Sequence, residues 1–206
     1  MQTPPTPLAQ PAAPADSPPP PPSVEQRIQQ ATIEVASRFG IARLSMGDVA
    51  RQAGLSRQTL YRHFPSREVL VEHAVVTEAA AMLLSAVRAM EAETDPQRGL
   101  AEAIATTLRC AREHALLGRL LLSEPQSLLP LVTHGQGRLA KLSREVVASM
   151  LTDRFPLAQP AAIARTAELT TRLLVSYGIA PTDETPHAIA VFLTPALLAA
   201  LAGGAP

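Results

Sequence analysis

One cysteine, no tryptophan and an aromatic content of 3% deprive this chain of several ways to be stabilised or to do chemistry. A lone thiol, Cys110, can form neither an intramolecular disulfide nor a multi-cysteine metal site. It reads as a small buried hydrophobe on a helix, because a redox sensor needs an activated thiolate. The five histidines, at 63, 73, 114, 134 and 187, lack metal-ligand spacing such as H-x-x-x-H. No GxSxG, GxxxxGK or GxGxxG occurs. The expectation is therefore no enzyme, no metal and no cofactor. The formal net charge is +0, so attraction for a polyanion has to be local. No apolar run of about 18 residues marks a membrane span. The start lacks the basic-then-apolar order of a signal peptide, so the expected location is cytoplasmic.

What is present is aliphatic and helical. Of the 206 residues 47% are hydrophobic, and the core has to be built from Leu, Ala, Val and Ile. Leu and Ala richness with little β-branched alternation predicts an all-α protein. Residues 1–22 carry ten of the twenty prolines and one charge, Asp16, the composition of a disordered tail. Val24, Ile28, Val35 and Phe39 fall at helical spacing, and Gly40 ends that helix.

Ser45 to Leu70, SMGDVARQAGLSRQTLYRHFPSREVL, is the densest signal. Ser45 is a good N-cap, with Asp48 in the first turn. Gly54 suits the left-handed position that closes a helix. Ser56 caps a second helix, which stops near Phe64 because Pro65 disfavours helical geometry before it. Ser66 caps a third. On a wheel of about 100° per residue, Leu60 and Phe64 form the buried face of the second helix. Gln58 and Arg62 lie opposite, flanked by Thr59 and Tyr61, with Arg57 in the first turn. Guanidiniums suit guanine edges and amides suit adenine edges. Tyr61, His63 and Arg67 are suited to phosphate oxygens. An ordinary αα-corner with a solvated face has the same spacing. Local charge separates the two: residues 40–67 hold five arginines (43, 51, 57, 62 and 67) against Asp48, a local +4 on a neutral chain.

The stretch GIARLSMGDVARQAGLSRQTLYRHFPSREVL resembles the N-terminal domain of the tetracycline-repressor-type (TetR) family of one-component bacterial regulators. The hydroxyl residue, VA, AG, LS, TLY, HF and SREVL fall at that family's spacing, and the likeness covers roughly Val24 to Leu70. Arg67 stands where the family usually has lysine, and Ser45 where threonine is more usual. The resemblance implies a homodimer that binds double-stranded operator DNA and is released by a small-molecule inducer. It puts Arg57, Gln58, Thr59 and Tyr61 at the groove, joined by Arg62 from the wheel, and Ser45, His63 and Arg67 on the DNA backbone. It implies a helix-turn-helix domain over residues 23–70, joined to a helical ligand-binding and dimerisation domain over residues 71–206.

Beyond that stretch, a helix of about 28 residues from Ser66, roughly 42 Å long, can link the two domains. Its expected face is Val69, Val76, Leu83, Val87 and Met90. A helix from Asp95 to Ser123 places Leu100, Ile104, Leu108, Leu117 and Leu121 inward. Leu128 to Val132 is a short turn. Helices follow over Arg138 to Arg154, Ala161 to Tyr177 and His187 to Ala202, with Pro195 expected to kink or divide the last. Met82, Leu83, Leu117, Leu121, Met150 and Tyr177 are candidate pocket residues, with Arg109 and His114 as polar ones. Leu and Met in place of aromatics suggest a lipophilic, flexible ligand. The last two helices are poor in charge. In the resembled family the corresponding pair forms the dimer interface, and Ile163, Leu169, Leu173, Phe192 and Leu197 are the candidate anchors. The competing reading is a helical protein–protein adaptor without DNA binding.

Overall fold

The computed structural model describes residues 21–114, 118 and 137–203, which form eight α-helices and no strand among the described residues. They are α1 (Val24–Phe39), α2 (Met46–Gln52), α3 (Arg57–His63), α4 (Arg67–Glu91), α5 (Pro96–Glu113), α6 (Arg138–Arg154), α7 (Pro160–Ile179) and α8 (Pro186–Ala202).

Local chemistry sets most of the boundaries. Ser23 and Gln26 form a reciprocal capping box on α1, with bonds of 3.2 and 2.8 Å. Ser45, Ser56 and Ser66 each accept a backbone N–H three residues on, opening α2, α3 and α4. Asp95 and Thr185 cap α5 and α8, each with proline at the first helical position, where no N–H is needed. Gly40 (φ 84°) and Gly54 (φ 64°) take the positive φ that ends α1 and turns the chain between α2 and α3. Phe64 adopts an extended conformation before Pro65 and stops α3 at His63.

Two apolar cores share one helix. The first joins Ile28, Val35, Val49, Leu60 and Phe64 to Leu70, Val71 and Val75 of α4. The second joins Ala86 and Met90 of α4 to Leu100, Ile104 and Leu108 of α5, Leu151 of α6, Ile163 of α7 and Ile189 and Leu197 of α8. A movement of α4 therefore displaces both cores.

Several expectations change. The buried face of α4 is Leu70, Val71, Ala74, Val75, Ala79, Leu83, Ala86 and Met90, while Val69 is exposed. Of the expected face, Leu83 and Met90 are buried, whereas Val76 and Val87 are only partly so and Val75 and Ala86 take the inward positions. Phe39 is half exposed beside Arg38 and lies outside the first core. The fourth helix ends at Glu91, making it 25 residues. His114 leaves helical geometry and stops α5 at Glu113, short of Ser123. Leu117, Leu121 and the turn expected at 128–132 lie outside the described residues. Pro195 does not divide α8, which runs through it as one helix. An 18-residue window of α4 reaches a mean hydropathy of 1.5, so that helix has the length and composition of a membrane span, contrary to the expectation of none. Part of that apolar surface is covered by the two cores that α4 joins.

Candidate nucleic-acid interface

Leu60 is fully buried and Phe64 nearly so, and these two side chains fix α3 against α1 and α2. On the outside, Arg57, Gln58, Tyr61, Arg62 and His63 are exposed and Thr59 is partly so. One seven-residue helix thus shows solvent an amide, two guanidiniums, a phenol and an imidazole. Thr59 is the least available, because its hydroxyl lies 2.9 Å from the capping Ser56 hydroxyl. Arg57 folds back over the first turn of α2, in the space left by the absent side chain of Gly47.

Ser45 and Arg67 have structural duties. The Ser45 hydroxyl donates to Asp48 Oδ2 at 2.6 Å and accepts the Asp48 N–H at 3.1 Å. That hydroxyl, and then Arg51, hold the Asp48 carboxyl below its ordinary pKa. Arg67 was expected on the DNA backbone. Its Nε instead donates to the Leu44 carbonyl at 2.9 Å, and its Nη2 donates to the Ile41 carbonyl. Those carbonyls lie in the loop between α1 and α2, whose Ile41 and Leu44 side chains are buried in the first core.

A hydrogen-bonded bridge ties this head to the rest of the chain. Gln29 Nε2 on α1 donates to the Ala74 carbonyl at 3.2 Å and to Glu78 Oε1 at 2.9 Å. The other Glu78 oxygen sits 2.8 Å from His114 Nε2, at the end of α5. Three helices meet at one partly buried carboxylate, which sequence spacing gave no means of finding. Glu78→Ala is expected to speed amide exchange in α1 about tenfold while leaving α7 and α8 unchanged, since two such bonds are worth about 1–2 kcal/mol. Hydrogen-exchange mass spectrometry reads this directly, and equal exchange in α1 would remove the bridge from the account.

Among the described residues, α4, α5, α6 and α7 line a partly open cavity of about 100 Å³. A smaller one of about 20 Å³ adjoins it and shares Leu83, Thr107, Val147 and Leu174. Of the sequence-derived pocket residues, Met82 and Leu83 line the larger cavity and Met150 the smaller. Tyr177 packs on the second core instead. Arg109 is exposed and bonded to Thr106, and His114 is engaged by Glu78, so the two do not converge on a ligand.

The anchors expected on α7 and α8 split in two. Ile163 and Leu197 are core residues, 7% and 1% exposed, and cannot meet a partner. Leu173 is partly buried against the same core. Leu169 and Phe192 face outward, Phe192 at 73% exposure, next to Val191. Ala188, Pro195, Ala196 and Ala199 complete an exposed face of α8 without a charge.

The family profile described as bacterial regulatory proteins, tetR family, matches residues 28–74. A second, described as the tetracyclin repressor C-terminal domain, matches residues 95–197, half of the chain. The chain belongs to the TetR family of bacterial regulatory proteins.

An uncharacterized HTH-type transcriptional regulator of Mycobacterium tuberculosis is 33% identical over 91 residues, 44% of this chain. The match spans 45% of that relative, a little under half its length. The crystal structure of the TetR family repressor AlkX from a Dietzia species, implicated in n-alkane biodegradation, is similar at TM-score 0.72 and 24% identity. That likeness covers 88% of this chain and 96% of AlkX. A fatty acid degradation regulator, FadR, from Bacillus halodurans is similar at TM-score 0.55 and 15% identity, over 90% of this chain and 98% of FadR. These structural likenesses concern the fold.

Within this TetR-family frame, Arg27 was also missed by sequence reasoning. Its Nη2 donates to the Ala53 carbonyl at 2.6 Å and the Gly54 carbonyl at 3.2 Å, so α1 clamps the turn that aims α3. Arg27 sits one position before the buried Ile28, and its acceptors lie 26 and 27 residues away, beyond the reach of local spacing.

Proposed function

We propose that this TetR-family regulator is a homodimeric repressor that acts in the cytoplasm, holds a palindromic operator and is released by a small lipophilic molecule. The observation that carries this is the outer face of α3. Its buried side is occupied by Leu60, while Gln58 and Arg62 stand free of the fold on the other. Seated in a major groove, Arg57, Gln58, Thr59, Tyr61 and Arg62 read base edges. His63 reaches phosphate oxygens from the groove's margin, while Ser45, whose one hydrogen goes to Asp48, acts by opening α2. Arg67 acts through the loop before α2, as a positioning residue.

Release follows from α4. That helix belongs to both cores, and its Glu78 bonds Gln29 of the head and His114 at the end of α5. A ligand wedged into the cavity that α4 shares with α5, α6 and α7 tilts α4 and carries α3 out of register. Repression by occupancy needs no surface for polymerase, and the likeness to a fold described as a repressor supports it.

Selection of bound sequences from a random duplex pool tests the reading. An inverted repeat is expected, with half-sites about 34–36 Å apart, bound by two chains. Gln58→Ala should relax base preference at one position of each half-site, a loss of about 1–3 kcal/mol of discrimination. A single asymmetric site occupied by one chain contradicts the proposal.

A further inference from the structure

The cavity between α4 and α7 has a lining with a definite chemical preference. We propose that it takes a small, uncharged aliphatic molecule carrying one hydrogen-bonding oxygen, an alcohol or a ketone, and that Thr171 receives that oxygen. This rests on the reading of the protein as ligand-released and names the ligand's class.

Three features of the lining carry it. Among the described residues, neither the larger nor the smaller cavity is lined by a charged or aromatic side chain. Met82, Leu83, Leu139, Val147 and Ile179 make the larger wall aliphatic. A carboxylate or ammonium placed there loses its hydration and meets no counter-charge among the described residues. A planar aromatic ligand finds no ring to stack on.

Thr171 supplies the second feature. It is buried on α7, lines the larger cavity, and its hydroxyl has no hydrogen-bond partner. Three other buried threonines satisfy theirs within the helix, whereas Thr166, which lines neither cavity, does not. Thr32, Thr107 and Thr194 donate to the carbonyl four residues back at 2.7, 2.8 and 2.7 Å. Thr170, which lines the smaller cavity, is unpartnered like Thr171. A buried hydroxyl without a partner is costly, so a wholly apolar occupant leaves that cost in place. An occupant with one oxygen removes it once the Thr171 hydroxyl, which has almost no accessible surface in the empty protein, turns toward the space. Thr107 has already given its hydrogen to the Ala103 carbonyl and can only accept, and Ser143, the other hydroxyl on the lining, is only partly buried and open to water, which leaves Thr171 the buried anchor able both to donate and to accept.

Size is the third. A dry cavity of about 150 Å³ elsewhere holds a benzene molecule. On that scale the two adjoining spaces here, about 100 and 20 Å³, hold about five heavy atoms, so a longer chain leaves its far end in the open side of the cavity.

The test titrates full-length protein with 1-hexanol, hexane, hexanoate and hexylamine near neutral pH. Binding is followed by NMR shifts and by the unfolding midpoint. Hexanol is expected to bind at least tenfold more tightly than hexanoate or hexylammonium, and more tightly than hexane. Thr171→Val is expected to raise the midpoint of the empty protein, because it removes an unpaired hydroxyl, and to abolish the preference for hexanol over hexane. The assignment is overturned if a charged analogue binds as well as hexanol. It is overturned too if Thr171→Val lowers the empty midpoint or keeps the preference, or if nothing binds. Operator affinity, measured on the same samples, separates the two claims. Hexanol bound without weakening DNA binding sinks the release mechanism and leaves the cavity assignment standing. DNA bound with no hexanol uptake sinks the cavity assignment and leaves operator recognition standing.

Discussion

Phe192→Arg is expected to turn the assembly into monomers and to lower operator affinity at least a hundredfold. Phe192 is 73% exposed in the single chain, on an α8 face that also shows Val191, Pro195 and Ala196 and bears no charge. A two-fold interface presents each residue twice, so one substitution buries two guanidiniums against apolar surface. Each arrives without a partner and costs several kcal/mol. The monomer keeps its head but loses the second head's contribution, which linkage makes worth about 10²–10⁴ in apparent affinity. Light scattering coupled to size exclusion reads the mass, and operator titration reads the affinity. A dimer of unchanged mass removes α8 from the interface. Leu197→Arg serves as the contrast. Leu197 is in the core, so that change should unfold the chain rather than separate two folded ones.

Raising salt from 50 to 200 mM is expected to weaken operator binding about a thousandfold, the response of a protein making six or more phosphate contacts. The cationic excess sits at the head of a chain with formal net charge +0. Arg51 spends its charge on Asp48, and Arg67 is held by loop carbonyls. Arg43, Arg57 and Arg62 stay exposed, and His63 beside them. A paired copy doubles that set. Each neutralised phosphate releases counterions, which makes the slope of log affinity on log salt a count of contacts. The adaptor reading predicts the opposite, because apolar contact barely responds to ionic strength. A flat titration together with tight protein–protein association would favour the adaptor.

Legibility followed the range of the interactions. Ser45, Ser56 and Ser66 act within three residues, and each cap is visible in a short window of sequence. Leu60 and Phe64 declare the buried side of α3 by their spacing alone. Arg67 shows where this stops. Its charge and helix position are plain in the sequence, but its acceptors, Leu44 and Ile41, lie 23 and 26 residues away. Arg109 and His114 seemed close enough on one helix to share a ligand, yet Glu78 from another helix takes His114.

The sequence by itself determined an all-helical chain, the helix-turn-helix, the polar face of α3 and the family. Those depend on caps, breakers and a 3.6-residue period, which act over one or two turns. Only the tertiary structure decided that Ile163 and Leu197 face inward while Leu169 and Phe192 face out. The physical reason is that α8 is apolar on every side, so no periodicity distinguishes its core face, and only packing against α5 and α7 selects one. The unpaired hydroxyl of Thr171 is of the same kind: it acquires meaning from the space beside it, and four helices make that space.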